Sequence, residues 1–182
     1  MSNLERPPVM RVREALLASG LEDTVMELSD SARTAEDAAK ALDCALGAIV
    51  KSLVFCIENR FVMALVAGDH LCHEENLPKA LNLDGVVRRP QASEVKGITG
   101  FTIGGVAPIG LLHPLPMAID SSFKRFDTVY AAAGHPHCIF SISFSDLVRV
   151  TDAIVSYNLA TPMTGVETYK PPYKRSKTFS GN

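Results

Sequence analysis

The sequence has few cysteines and none in paired spacing. Cys44, Cys56, Cys72 and Cys138 are scattered through 182 residues. A disulfide framework is therefore not the basis of the fold, and a reducing, cytoplasmic setting is the expectation. The N-terminus, MSNLERPPVMRVREALL, lacks the apolar core and small-residue cleavage site of a secretory signal. No internal repeat is visible. No GK[ST] follows a glycine-rich loop, which excludes a Walker phosphate loop, and no dinucleotide fingerprint occurs. There is no GxSxG elbow and no cysteine in a recognisable catalytic motif, so a side-chain nucleophile has little support.

Charge is missing from one long stretch. Residues 97–119, GITGFTIGGVAPIGLLHPLPMAI, contain no Asp, Glu, Lys or Arg. That length would span a bilayer, which takes ~20 apolar residues. Its five glycines and three prolines argue against a span, because lipid offers no partner for the backbone groups such breaks would strand. The stretch reads instead as a loop buried in protein or lining a cavity.

What is present suits one globular domain. Hydrophobic residues make up 47% and charged residues 21% of the chain, wrong for disorder and sufficient for a core. Net charge is −2 and unevenly placed. The segment 169–182 carries Lys170, Lys174, Arg175 and Lys177 and no acid. It is expected to be a basic, solvated tail after a single domain over 1–168, with contact to nucleic-acid phosphates as the alternative.

Helices and strands interleave. PVMRVREALLASG predicts a first helix with Pro8 near its start and Gly20 at its end. Residues 23–29 predict a short strand. TAEDAAKALDC predicts a helix capped by Thr34. AIVKSLVFCI and FVMALVAG, joined by ENR, predict a hairpin. A short helix over 74–83, a brief strand in GVVRR and a helix over 91–100 follow. PMAID, DTVYAAAG and HCIFSIS predict strands. SFSDLVRVT predicts a helix capped by Ser143 or Ser145, and DAIVSYNLA (152–160) is expected to continue as helix. Hairpins among helices argue for an α+β fold with a mixed, partly barrel-like sheet rather than a doubly wound parallel one.

Two features carry chemistry. Lys51 sits between apolar neighbours in a strand, on the same face as Ile49 and Leu53. A lysine there either snorkels to an edge or works in a cleft. GGVAPIG lets bare backbone approach a ligand, and its N–H groups could converge on an anion or a polarised carbonyl. The clusters HLCH (His70, Cys72, His73) and HPHC (His135, His137, Cys138) lack zinc-finger spacing, so no metal and no stable cofactor is expected.

Taken in order, VKSLVF, the Gly68–Asp69 turn, TGFTIGGVAPIG, PMAID and AAAGHPH resemble the YbaK/prolyl-tRNA-synthetase-associated family of aminoacyl-tRNA editing domains. The resemblance spans 24–160 and implies a free-standing, trans-acting member. It places the family's essential lysine on Lys51 and its GxxxP loop on Gly104 to Pro108. Gly104 and Gly105 would then supply oxyanion donors. Ser52, Val106, Ala107, Pro108, Asp120, Gly134 and His137 would line the substrate site. The alanine-editing branch resembles KN where this chain has Lys51–Ser52, which leaves the edited amino acid open. The implied activity is deacylation of mischarged tRNA, such as tRNA(Pro) carrying alanine, cysteine or another small residue. The implied partners are the terminal CCA end of aminoacyl-tRNA and a prolyl-tRNA synthetase, with no membrane. A non-catalytic nucleic-acid-binding or regulatory module of the same fold is the alternative.

Overall fold

A computed structural model describes residues 2–164; the basic tail expected over 169–182 lies outside the described residues. Among the described residues, ten strands and five α-helices are interspersed. The order is α1 (Pro7–Ala18), β1 (Met26–Glu27), α2 (Ala35–Leu42), β2 (Ile49–Ile57), β3 (Arg60–Ala67) and β4 (His70–Cys72). Then come α3 (Leu77–Ala80), β5 (Val87–Arg88), α4 (Ala92–Thr99), β6 (Met117–Asp120), β7 (Val129–His135) and β8 (Cys138–Ile142). The last elements are α5 (Phe144–Thr151), β9 (Ile154–Ser156) and β10 (Ala160–Pro162).

The main sheet runs β1-β8-β7-β2-β3-β6-β9, with β5 attached to β2 and a separate pair β10-β4. It is mixed, as an α+β fold requires. The β2–β3 hairpin is antiparallel, while β7 joins β2, β6 joins β3 and β9 joins β6 in parallel. Parallel neighbours need long crossovers, and most of the uncharged stretch 97–119 lies in the one that leads from β3 to its parallel neighbour β6. Among the described residues no helix is long and apolar enough to cross a membrane.

The sheet separates two apolar layers. On one face Val50, Met63, Leu65, Ala131 and Phe140 meet Val9, Val12 and Leu16 of α1 and Phe101 and Ala107 of the long loop. On the other, Phe55, Ile57, Val62, Ala64 and Val66 meet Leu77 and Leu81 around α3. Strand alternation assigns each residue its layer, and full burial of one such side chain contributes about 1.5–3 kcal/mol.

Local signals set several ends. Thr34 accepts from Asp37 N–H and Ser143 from Asp146 N–H, each an N-cap satisfying an otherwise orphaned donor. Gly100 closes α4 in the left-handed conformation. The strand expected over 23–29 shrinks to Met26–Glu27, tied to β8. The helix expected over 152–160 does not form. Asp152 adopts φ 54° and ends α5, and Ile154–Ser156 pairs in parallel with Ala118–Asp120. The β-branched Ile154 and Val155 suit that edge position better than a helical turn.

Candidate active site

The hairpin geometry decides which way β2 presents its backbone. Ile57 faces Arg60 across the turn, and Ile49 O accepts from Gly68 N–H. The odd-numbered residues therefore direct N–H and C=O to β3, and the even-numbered ones direct theirs to the opposite edge. On that edge β7 pairs only as far as Val50, and β5 pairs only from Cys56 onward. Ser52 and Val54 thus turn their backbone groups into a gap between two partner strands.

A cleft of about 600 Å³ occupies this gap. Its walls include Lys51, Ser52 and Val54 of β2, Thr34 to Glu36 at the start of α2, and Ile103, Gly104 and Val106 of the uncharged loop. The predicted cavity-lining loop is therefore one wall of this cleft. Arg33 and Arg89 stand at the same cleft.

Lys51 is half-buried. Its Nζ donates to the carbonyl oxygen of His70 at 2.6 Å, which fixes the ammonium within the fold instead of leaving it to snorkel. Burial pushes its pKa below the ordinary lysine value, opposed by the negative charges of Glu36, Asp69 and Asp120. No thiol competes as a ready nucleophile beside it, because burial pushes Cys72 up to about 11.

The two loop glycines differ. Gly105 N–H is bonded to Thr102 O, and Gly105 O accepts from Gly134 N–H. Gly134 thus holds the loop against β7. Gly104 takes φ +99°, and its N–H makes no backbone bond among the described residues. The donor free to meet a ligand is therefore that of Gly104.

The remaining expected site residues divide. Ser52 and Val106 share the cleft with Lys51 and Gly104. Ala107 and Pro108 are buried behind it, and Ala107 belongs to the core. His137 lies on the β7–β8 turn, where its Nδ1 is 3.2 Å from Leu28 O and its carbonyl accepts from Leu28 N–H. Asp120 is 3% exposed and accepts from Ala67 N–H and Ser122 N–H. Sequence reasoning missed Glu36, Arg33, Arg89 and the His70 carbonyl. The last could not be found by residue type, because a backbone oxygen carries no signature.

The profile of the family described as "Aminoacyl-tRNA editing domain" matches residues 29–150. Among curated proteins, the chain is 32% identical over 127 residues to the uncharacterized protein YwhH of Bacillus subtilis (strain 168), covering 69% of this chain and 80% of that one. It is 35% identical over 88 residues to a Proline--tRNA ligase of Xanthomonas oryzae pv. oryzae (strain MAFF 311018), covering 48% of this chain but only 15% of the ligase. Among solved structures, one described as a candidate trans-editing enzyme for prolyl tRNA synthetase superimposes with a TM-score of 0.78 at 35% identity, over 86% of this chain and 98% of that one.

Proposed function

This chain belongs to the aminoacyl-tRNA editing domain family, and on that premise we propose that it is a deacylase acting in trans on mischarged tRNA, with tRNA(Pro) carrying alanine, cysteine or another small amino acid as its substrate. One observation carries the reading. A fixed ammonium, an unengaged glycine amide and the open edge of a strand border one cleft.

The reaction is hydrolysis of the ester between the amino acid and the terminal ribose. Water adds to the carbonyl carbon, and the negative charge collects on the carbonyl oxygen. The carbon–oxygen bond to the ribose then breaks, and the ribose oxygen leaves with a proton from the water. The products are a free amino acid and an uncharged tRNA. The Gly104 N–H is suited to receive the developing oxyanion, and one such donor is worth ~3 kcal/mol in the transition state. Lys51 holds the phosphate or ester end of the terminal nucleotide, since a cation in a partly dehydrated cleft binds anions better than one in water. An activated ester needs no covalent intermediate, and the vicinal ribose hydroxyl can assist.

The apolar lining of Val54, Val95, Ile103 and Val106 supports a size filter. A synthetase pocket that accepts proline discriminates against a smaller residue by only ~1–3 kcal/mol per methylene. A second pocket that admits only the smaller residue removes the error, and prolyl-tRNA synthetase would be the enzyme whose products it clears.

The test is ester loss from tRNA(Pro) charged separately with alanine, cysteine, serine and proline. Release of one small amino acid, with prolyl-tRNA(Pro) surviving, is the expected result. Lys51→Ala should slow that release by roughly a hundredfold while leaving the fold intact. Binding of tRNA without any ester loss would instead identify a non-catalytic binding module.

A further inference from the structure

Behind Lys51 lies a set of charged groups that the proposed chemistry does not use. Asp69, 2% exposed, receives two parallel hydrogen bonds from Arg125, Nη1 to Oδ2 and Nη2 to Oδ1, both at 2.8 Å. Arg125 is itself anchored through Nε to Ser122 O at 2.8 Å. The next residue, His70, places Nδ1 3.1 Å from Asp120 Oδ2, and its carbonyl takes the Lys51 ammonium. Asp120 also holds Ala67 N–H at 3.2 Å. The turn from Ala67 to His70 is thus gripped from one side by Asp120, at the end of β6, and by Arg125, in the 3-10 turn that follows. Gly47 closes the other side, where a Cβ would meet Arg125 Nη2 at 2.7 Å and both Asp69 carboxylate oxygens at 2.8 Å.

A buried ion pair is a weak means of stabilising a fold, because desolvation offsets most of the attraction. What a bidentate pair does well is fix direction: two parallel bonds leave the carboxylate no freedom to rotate. Here the fixed carboxylate belongs to the residue just before the carbonyl on which Lys51 rests.

Resting on the deacylase reading above, we infer that Arg125 is a positioning residue for Lys51: by clamping Asp69 it holds the His70 carbonyl that sets the ammonium in the cleft. Loss of the clamp frees the carbonyl, and the lysine side chain swings toward water. The groups facing Lys51 are Glu36 from α2, Asp69 and Cys72 flanking His70, and Asp120 from β6. None of them replaces the carbonyl as a directed acceptor in the structure described.

The experiment uses the full chain with ¹³Cε-labelled lysine, Lys51 being assigned by its missing signal in Lys51→Arg. Two variants are compared with the parent: Arg125→Lys, which keeps a charge opposite Asp69 but loses the fork, and the neutral pair Asp69→Asn/Arg125→Gln. In each variant that shows a cooperative melting transition, the Lys51 titration midpoint should rise toward that of an exposed lysine. The rise follows because burial is the main influence holding it down and a released side chain is rehydrated. The deacylation kcat/KM should fall by about tenfold or more, since a displaced ammonium no longer holds the terminal nucleotide in place. An unmoved midpoint in a folded variant overturns the inference, and so does lost activity with the midpoint in place, which marks a purely structural pair. If the neutral pair does not fold, Arg125→Lys decides. The titration needs no tRNA, so it gives its answer even if the parent protein hydrolyses no mischarged tRNA, an outcome that would remove only the deacylase reading.

Discussion

A Cβ placed on Gly104 would meet the Arg33 side chain at 3.5 Å and Pro136 at 3.9 Å, ordinary contacts. Its difficulty is the backbone, held at φ +99°, where an L side chain costs about 1–3 kcal/mol. Gly105 has the reverse problem. Its φ is unremarkable for any residue, but a Cβ there would lie 2.9 Å from His135 N and 3.0 Å from His135 Cα, backbone that cannot step aside cheaply. Two substitutions of the same kind should therefore fail differently. Gly104→Ala is expected to keep the fold, with a small drop in the urea midpoint, while deacylation falls by roughly a hundredfold as the free amide turns away. Gly105→Ala is expected to lower the midpoint much more, since it levers the loop off β7. Paired urea titrations and ester-release assays separate the two, and equal losses of stability would remove the distinction drawn between the neighbouring glycines.

The gap in β2 leaves a signature at the level of the strand. Lys51, Leu53 and Phe55 donate their amides into the β2–β3 ladder, whereas Ser52 and Val54 point theirs into the cleft, where no strand among the described residues pairs with them. Hydrogen exchange should follow that period of two, with Ser52 and Val54 exchanging at least about tenfold faster than Leu53 and Phe55. Uniform protection along the strand would mean that the edge is closed. The hairpin itself was legible, because alternation and β-branched residues are local properties of AIVKSLVFCI and FVMALVAG. So were the capped helices, because Thr34 and Ser143 act within one turn. The helix expected over 152–160 was wrong for the complementary reason. Nothing near Ile154 announces that β6, far earlier in the chain, presents an edge for it, and that edge outweighs a run of apolar residues with no strong preference of its own. The site divides along the same line. Lys51 was conspicuous as a charge inside an apolar strand, and the glycine pair as a break in an uncharged loop. Arg125 stood unremarked in SSFKRF, since its meaning comes from Asp69, 56 residues away in sequence.

Across the whole molecule, the same Asp69–Arg125 pair links folding to pH. It ties the end of the central hairpin to the turn after β6, two regions otherwise joined through the parallel β3–β6 pairing. Burial alone would push the Asp69 carboxyl up, but the Arg125 hydrogen bonds and charge, with His70 adding to them, bring it below the usual carboxylate value. A carboxyl whose folded pKa is lower than its unfolded pKa binds its proton more readily in the unfolded chain. Its contribution to stability is therefore complete above the unfolded value, about 3.9 for an aspartate, and is lost as pH falls toward the depressed folded value. The parent protein should accordingly lose part of its urea midpoint between about pH 5 and pH 3 through this pair, in addition to what other acids contribute. Asp69→Asn/Arg125→Gln removes the titrating group and its partner together, so its midpoint should start lower or near the parent's at neutral pH and decline less steeply over that window. The comparison of slopes isolates the pair from the remaining carboxylates, which both proteins share. Parallel slopes would show that Asp69 takes up its proton at the same pH folded and unfolded, and that Arg125 exerts no electrostatic hold on it.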